Sequence, residues 1–310
     1  MLLVTGASGF LGANVLSEAL ANDRDVVGTY HETPFRSASV RTVETDLAQP
    51  GAADEILESL RPDWVLNCAA LANVDQCESD EDLAFRLNVD LPRLLAESCQ
   101  KAGVRFLHVS TDSVFDGQRG GYEEDDPAAP LNVYARTKAE GERAVFDKML
   151  DALIVRTNFV GFSADGKTGL AQWIIRELEG GKRISGFTDV IFAPLVANDL
   201  ASIMFAMMDA NLAGLYHLNG STPLSKYDFA RKLARELELD ESLVQPSRLA
   251  DANLSAPRPL NTSLSSKRAE TDLGRSMPSI DETITKLGQL ARQDYPKHLA
   301  EIIDPIDAND

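Results

Sequence analysis

Short apolar runs alternate with amphipathic stretches from the first residue of this chain. Leu2 to Thr5 reads as a strand, Phe10 to Ala21 as a helix, and Asp25 to Tyr30 and Val40 to Glu44 as further strands. Ala52 to Leu60 (helix) and Trp64 to Asn67 (strand) continue the alternation. Asp80 to Ala102 predicts one long helix bent at Pro92, because proline cannot donate the N–H that a helix interior uses. Val104 to Ser110 (strand), Val133 to Leu150 (helix) and Leu153 to Thr157 (strand) follow. Strands that are apolar on both faces and separated by helices predict a parallel sheet covered on both sides, a doubly wound α/β fold.

Beyond Asn158 the rhythm loosens. A helix is expected over Leu170 to Leu178, a stop at Gly180-Gly181, a strand over Leu215 to Leu218, and helices over Tyr227 to Leu237 and Asp281 to Gln293, with a break at Pro257-Arg258-Pro259. The division this predicts is a sheet domain of residues 1–160 plus about 192–220 and a smaller lobe of about 161–191 plus 221–303 over the carboxyl edge of the sheet. The acidic tail, 304–310, is expected to be disordered.

Charge narrows the partners. The 310 residues carry 30 Lys and Arg against 48 Asp and Glu, a formal net charge of −18, which repels nucleic acid and anionic lipid surfaces. An anionic ligand is then held locally, by helix N-termini and a few placed cations. The cysteines Cys68, Cys77 and Cys99 are odd in number and lack Cys-x-x-Cys spacing, so neither a disulfide framework nor a metal site is expected. No apolar run reaches membrane-spanning length; Leu200 to Met208 is the best candidate and is short. A soluble, cytoplasmic chain is expected.

The first strand enters the first helix through Thr5-Gly6-Ala7-Ser8-Gly9-Phe10-Leu11-Gly12. Gly6 permits a tight turn, Gly9 lets phosphate oxygens approach the backbone, and Gly12 lets the helix pack closely, while the helix N-terminus offers free N–H groups. Gly6, Ser8, Gly9, Phe10, Leu11 and Gly12 are therefore candidates to hold a dinucleotide pyrophosphate. The second strand runs out as Gly28-Thr29-Tyr30-His31 without the carboxylate that hydrogen-bonds a ribose 2′-hydroxyl, which favours NADPH, with His31 or Arg36 near the 2′-phosphate and NADH as the other choice. Asp46 and Leu47 are candidates to touch the adenine, and Cys68, Ala69 and Ala70 to wall the cofactor with small side chains.

Tyr134 and Lys138 stand four apart on the predicted helix, one above the other. A neighbouring ammonium is expected to bring the phenol toward the working range and to reach the nicotinamide ribose. Thr111, at the carboxyl end of a predicted strand, is placed to hold the substrate oxygen beside Tyr134. An exposed Tyr–Lys pair and a Thr cap are the plainer readings of the same residues. His108 and His217 read as core.

Ser110-Thr111-Asp112-Ser113-Val114-Phe115-Asp116-Gly117 and Pro130-Leu131-Asn132-Val133-Tyr134-Ala135-Arg136-Thr137-Lys138 resemble the dTDP-4-dehydrorhamnose reductase branch of the extended short-chain dehydrogenase/reductases. The similarity continues at Arg156-Thr157-Asn158, Phe192-Ala193-Pro194, Gly214 to Leu218 and Arg258-Pro259. The resemblance implies a Rossmann domain binding NAD(P)H, a C-terminal lobe binding a nucleotide sugar, and 4-keto reduction by Thr111, Tyr134 and Lys138. It also implies Asp112, Asn158 and Arg258 as substrate contacts and leaves a homodimer open. Ser113 departs from the Tyr usual in the family, and Val190-Ile191-Phe192 from its usual polar residues. An epimerase or dehydratase, with Asp112 as the extra acid, is the alternative enzyme. A regulatory subunit like that of methionine adenosyltransferase is the alternative of another class. Gly161 to Thr168 also satisfies the P-loop pattern, with Lys167 in the phosphate-binding place.

Overall fold

A computed structural model describes residues 1–165 and 169–305. Among these, seven strands form one parallel sheet: β1 (Leu2–Thr5), β2 (Val26–Tyr30), β3 (Arg41–Glu44), β4 (Trp64–Asn67), β5 (Arg105–Thr111), β6 (Leu153–Thr157) and β7 (Gly214–Leu218). Their order is β7-β6-β5-β4-β1-β2-β3. The chain reverses direction across the sheet between β1 and β4, where Thr5 lies opposite Asn67. In such sheets the crevice beyond the carboxyl ends at this point receives ligands.

Alternation within β1 feeds two cores. Leu2 and Val4 face α1 (Phe10–Ala21), whereas Leu3 faces the layer built from α2 (Ala52–Leu60), α3 (Leu91–Ala102) and α4 (Val133–Lys148). The first face is completed by a helix of Ala197–Asp209 packed on α1. Its Leu200, Ala201, Ile203, Met204, Phe205, Met207 and Met208 are all buried, and only a narrow stripe of Asp199, Ser202, Ala206 and Asp209 reaches solvent. Among the described residues no helix is long and apolar enough to cross a membrane.

The long helix expected over Asp80 to Ala102 is broken. Glu81–Phe85 is α-helical, Arg86–Asp90 forms a π-turn, and α3 begins at Leu91 with Pro92 in its first turn. The Leu91 N–H donates to the Arg86 carbonyl, five residues back. Pro92 then has no N–H to offer the Asn88 carbonyl, which turns to α4 and lies against Gly141, where a Cβ would collide with it. This omission brings α4, the helix of Tyr134 and Lys138, close to its neighbour.

Beyond the sheet, Ile184–Phe187 pairs in parallel with Val244–Ser247, helices Leu170–Glu179 and Lys226–Glu236 pack on the pair, and Ile280–Arg292 packs on the second of these helices. The expectation of a disordered tail fails at its start. Asp304 and Pro305 pair antiparallel with Arg36 and Phe35, because the preceding helix, Tyr295–Ile302, buries Leu299 and Ile302 against α1 and carries the chain there. Residues 306–310 lie outside the described residues.

Gly141→Ala tests the close approach of α4. Helix propensity alone would favour Ala by about 1 kcal/mol; overpacking against the Asn88 carbonyl is expected to outweigh it, for a net loss of about 1–2 kcal/mol. Urea unfolding that shows a stabilised variant would refute the contact.

Candidate active site

The turn from β1 to α1 is built by backbone crowding. Gly6 adopts φ +64°, and a Cβ on it would stand 2.7 Å from the Ala69 backbone. A Cβ on Gly12 would strike the Gly6 carbonyl oxygen, so here the third glycine makes room for the turn itself. Gly9 caps α1 without a side chain, so the first-turn N–H groups face the crevice. A cleft of about 480 Å³ opens there, lined by Gly9, Phe10, Leu11, Gly12, Cys68, Ala70, Thr111, Asp112, Tyr134 and Lys138, among others. A cavity of about 220 Å³ extends it past Gly6, Ser8, His31, Asp46, Leu47 and Ala69. With no Cβ on Gly9 and no side-chain cap over the first-turn N–H groups, this turn fits a pyrophosphate.

On the adenosine side one candidate lies away from the cavity and one further residue joins it. Arg36 is exposed, paired through its backbone with Asp304, and is not among the lining residues. Glu32, two residues past β2, does line the cavity; sequence reasoning missed it because it looked for a carboxylate at the strand end itself.

Thr111 ends β5 with its side chain 6% exposed. Its Oγ1 accepts from the Ser113 N–H at 3.1 Å, so it is a cap as well as a site residue. Its side chain lies beside the Tyr134 phenol, and both line the cleft. Asn132 caps α4 by accepting from the Ala135 N–H at 2.9 Å, which sets Tyr134 in the first turn facing Thr111. Burial pushes the Tyr134 phenol up to about 12; the Thr111 contact pulls the other way, and the charges of Asp112 and Cys77 add to the rise. The expected tuning of this phenol by Lys138 is absent from these influences. Lys138, 2% exposed, points instead to the Val109 carbonyl at 2.8 Å and to His108 Nε2 at 3.2 Å. Tyr134 is therefore a protonated phenol at neutral pH, suited to giving a proton.

Asp112, 1% exposed, is held by four side chains. Oδ2 accepts from Thr262 Oγ1 at 2.5 Å and Asn158 Nδ2 at 2.8 Å, and Oδ1 from Ser113 Oγ at 3.2 Å and Thr111 Oγ1 at 3.3 Å. Burial raises its pKa, and these hydrogen bonds oppose the rise. A carboxylate with every acceptor position taken is a strut, not a free acid. Asn158 is likewise engaged, while still lining the cleft.

On the far side of Ser113 and Asn158 lies a cavity of about 270 Å³ lined by Phe187, Val190, Phe192, Lys226, Leu249, Arg258 and Thr262, among others. Arg258 points there while donating to Asp75 at 2.9 Å. Lys226 has no spacing that would single it out in the sequence; it arrives through the Leu224–Ser225 pairing with Ile191–Phe192. Lys167, Gly166 and Thr168 of the P-loop pattern lie outside the described residues.

Behind the site, Arg156 meets Glu142 at 2.6 Å with both groups buried, and Ser110 Oγ donates to Glu142 at 2.5 Å. His217 is buried alongside, 3.5 Å from Arg156, its pKa lowered to about 3, first by burial and then by that guanidinium. Glu142→Gln, leaving the Arg156 charge buried without its counterion, is expected to cost about 3–5 kcal/mol in urea unfolding. A change below 1 kcal/mol, within the range of an exposed pair, would show that the pair is not a structural need.

The chain matches, over residues 1–292, the family model described as RmlD substrate binding domain. It is 36% identical over 298 residues to the "Probable low-salt glycan biosynthesis reductase Agl14" of Haloferax volcanii, covering 94% of this chain and 98% of that one. It is 35% identical over 274 residues to a dTDP-4-dehydrorhamnose reductase of Mycobacterium tuberculosis, covering 86% and 85%. Among solved structures, a dTDP-4-dehydrorhamnose reductase of Bacillus anthracis in complex with NADP superposes with a TM-score of 0.82 at 26% identity, over 92% of this chain and 97% of that one. A crevice at the sheet's point of reversal, with Thr111, Tyr134 and Lys138 at its centre, thus sits in a chain that matches its relatives nearly end to end, and the chain belongs to the RmlD substrate binding domain family.

Proposed function

We propose that this protein is an NAD(P)H-dependent oxidoreductase that reduces a keto group, the 4-keto group of a nucleotide-linked sugar, as its relatives of the dTDP-4-dehydrorhamnose reductase kind are named for doing. The observation that carries the reading is the partly buried Tyr134 phenol, set beside Thr111 and Lys138 in the cleft that opens at the glycine turn. The reduced dinucleotide supplies hydride when bound along Gly6, Gly9 and Gly12. Thr111 orients the carbonyl oxygen, and Tyr134 gives its proton to the alkoxide that develops there. A phenol held protonated by burial suits the reducing direction.

The sugar nucleotide lies toward Ser113 and Asn158, its phosphates drawn to Arg258 and Lys226, two cations on an otherwise acidic protein. The apolar stretch Val190 to Phe192 forms a drier wall there. The locked carboxylate of Asp112 disfavours the dehydratase alternative, which needs a free acid beside Thr111. NADPH is the first choice of cofactor, since a relative of 26% identity holds NADP; NADH also suits the cavity, because Glu32 and His31 both line it.

The test is oxidation of NADPH or NADH with a dTDP-4-keto-6-deoxy sugar, followed by nicotinamide absorbance. Tyr134→Phe is expected to lower kcat by about 10²–10⁴-fold while cofactor affinity persists. Full turnover by that variant would end the proposed mechanism. Tight cofactor binding without turnover of any keto-sugar by the wild type would favour a regulatory role.

A further inference from the structure

Lys138 ends a buried chain of hydrogen bonds that runs back across the sheet to Thr5. Asn67 Oδ1 accepts from Thr5 Oγ1 at 2.5 Å and from the Ala69 N–H at 3.1 Å. Two donors on one atom fix the orientation of the amide, so Nδ2 is the group facing His108 Nδ1 at 2.9 Å, and it donates. With Nδ1 accepting, a neutral His108 carries its proton on Nε2. That nitrogen is 3.2 Å from Lys138 Nζ. An ammonium has three donors and no lone pair, so it would meet Nε2–H donor to donor. A neutral amine accepts from Nε2–H and still donates to the Val109 carbonyl at 2.8 Å.

We propose that His108 is a positioning residue: its Nε2–H tautomer, imposed by Asn67, favours the neutral amine of Lys138 and so eases the release of this side chain's proton. The purpose assigned to it rests on the reductase reading, in which the phenol that gives up a proton must regain one. His108 is wholly buried, and its pKa is held well below the usual range, first by burial and then by Lys138, so it stays neutral. The other groups around Nζ do not settle the matter. Glu142, one turn along α4, favours the ammonium but is taken up by Arg156 and Ser110. Cys68, after β4, is kept a thiol by burial. Tyr134, one turn back, is a neutral phenol. Burial lowers Lys138 to about 8, in the direction the tautomer also favours. The ammonium is therefore present below that pH and lost above it.

Two measurements test this. Nitrogen-15 imidazole NMR of the full chain is expected to show His108 as the Nε2–H tautomer without titration across the neutral range. An Nδ1–H tautomer, or a His108 that protonates there, overturns the proposal, and this readout needs neither substrate nor turnover. The second is the pH profile of kcat/KM, expected to fall as pH rises through about 8. In His108→Gln the amide oxygen can face Nζ, and the falling limb is expected to move up by about one pH unit. Asn67→Asp accepts from Nδ1–H and turns an Nε2 lone pair to Lys138, moving the limb the same way, yet adds little when His108 is already Gln. An unmoved limb in His108→Gln, or an equal shift by Asn67→Asp in both backgrounds, overturns the role given to His108. Absence of all keto-sugar turnover would instead remove the reductase reading while the tautomer stays measurable.

Discussion

A buried carboxylate must find donors or forfeit its charge, and in this protein that requirement ties the two sides of the cleft together. Asp112 follows β5, Asn158 follows β6, and Thr262 belongs to the chain that walls the outer cavity; all three meet at one pair of oxygens. Thr111, which orients the reacting oxygen in the proposed reaction, is bonded to the same carboxylate. Moving the outer wall therefore disturbs Thr111, so in the proposed reaction substrate position and chemistry are coupled through a group that does neither job itself.

The same economy appears one layer further back. Glu142 and Arg156 neutralise each other out of water, and their contact with Ser110 steadies the strand end that carries Thr111. In the proposed reaction a chain of strongly negative charge draws its anionic substrate through Lys226 and Arg258, which both line the outer cavity. Net charge governs the outside of the molecule, and these local placements govern the crevice.

Much of this was legible in the sequence where the determining contacts are local. Gly6, Gly9 and Gly12 announce a turn because their spacing and the approach of Gly12 to Gly6 are local, although Gly6 also makes room for the distant Ala69 backbone, and Tyr134 with Lys138 is visible because one helical turn separates them. The inner strands of the sheet are legible because burial on both faces leaves apolar runs, whereas the edge strand β3 is partly exposed throughout. What escaped was decided at long range. The true partners of Lys138 lie on β5, some thirty residues earlier, so adjacency on the helix suggested a Tyr–Lys interaction that the fold does not use. Asp112 looked like an available acid until Thr262, 150 residues on, was brought to it. Lys226 has no motif, and Glu32 lies just past the place where a ribose-binding acid was sought. The interruption near Pro92 was foreseen in kind but placed too late, since the proline unsettles the turn before it.

Pro92 and Gly141 contribute no functional group, yet between them they set how near α4 stands to the layer beneath. One withholds a hydrogen and the other a carbon, and the gap so created is filled by a carbonyl oxygen. Mutational surveys that rank positions by the reactivity of their side chains would pass over both. Variation at either is nonetheless expected to be constrained as tightly as at the residues that touch the substrate, because the spacing of the crevice is written there in atoms left out.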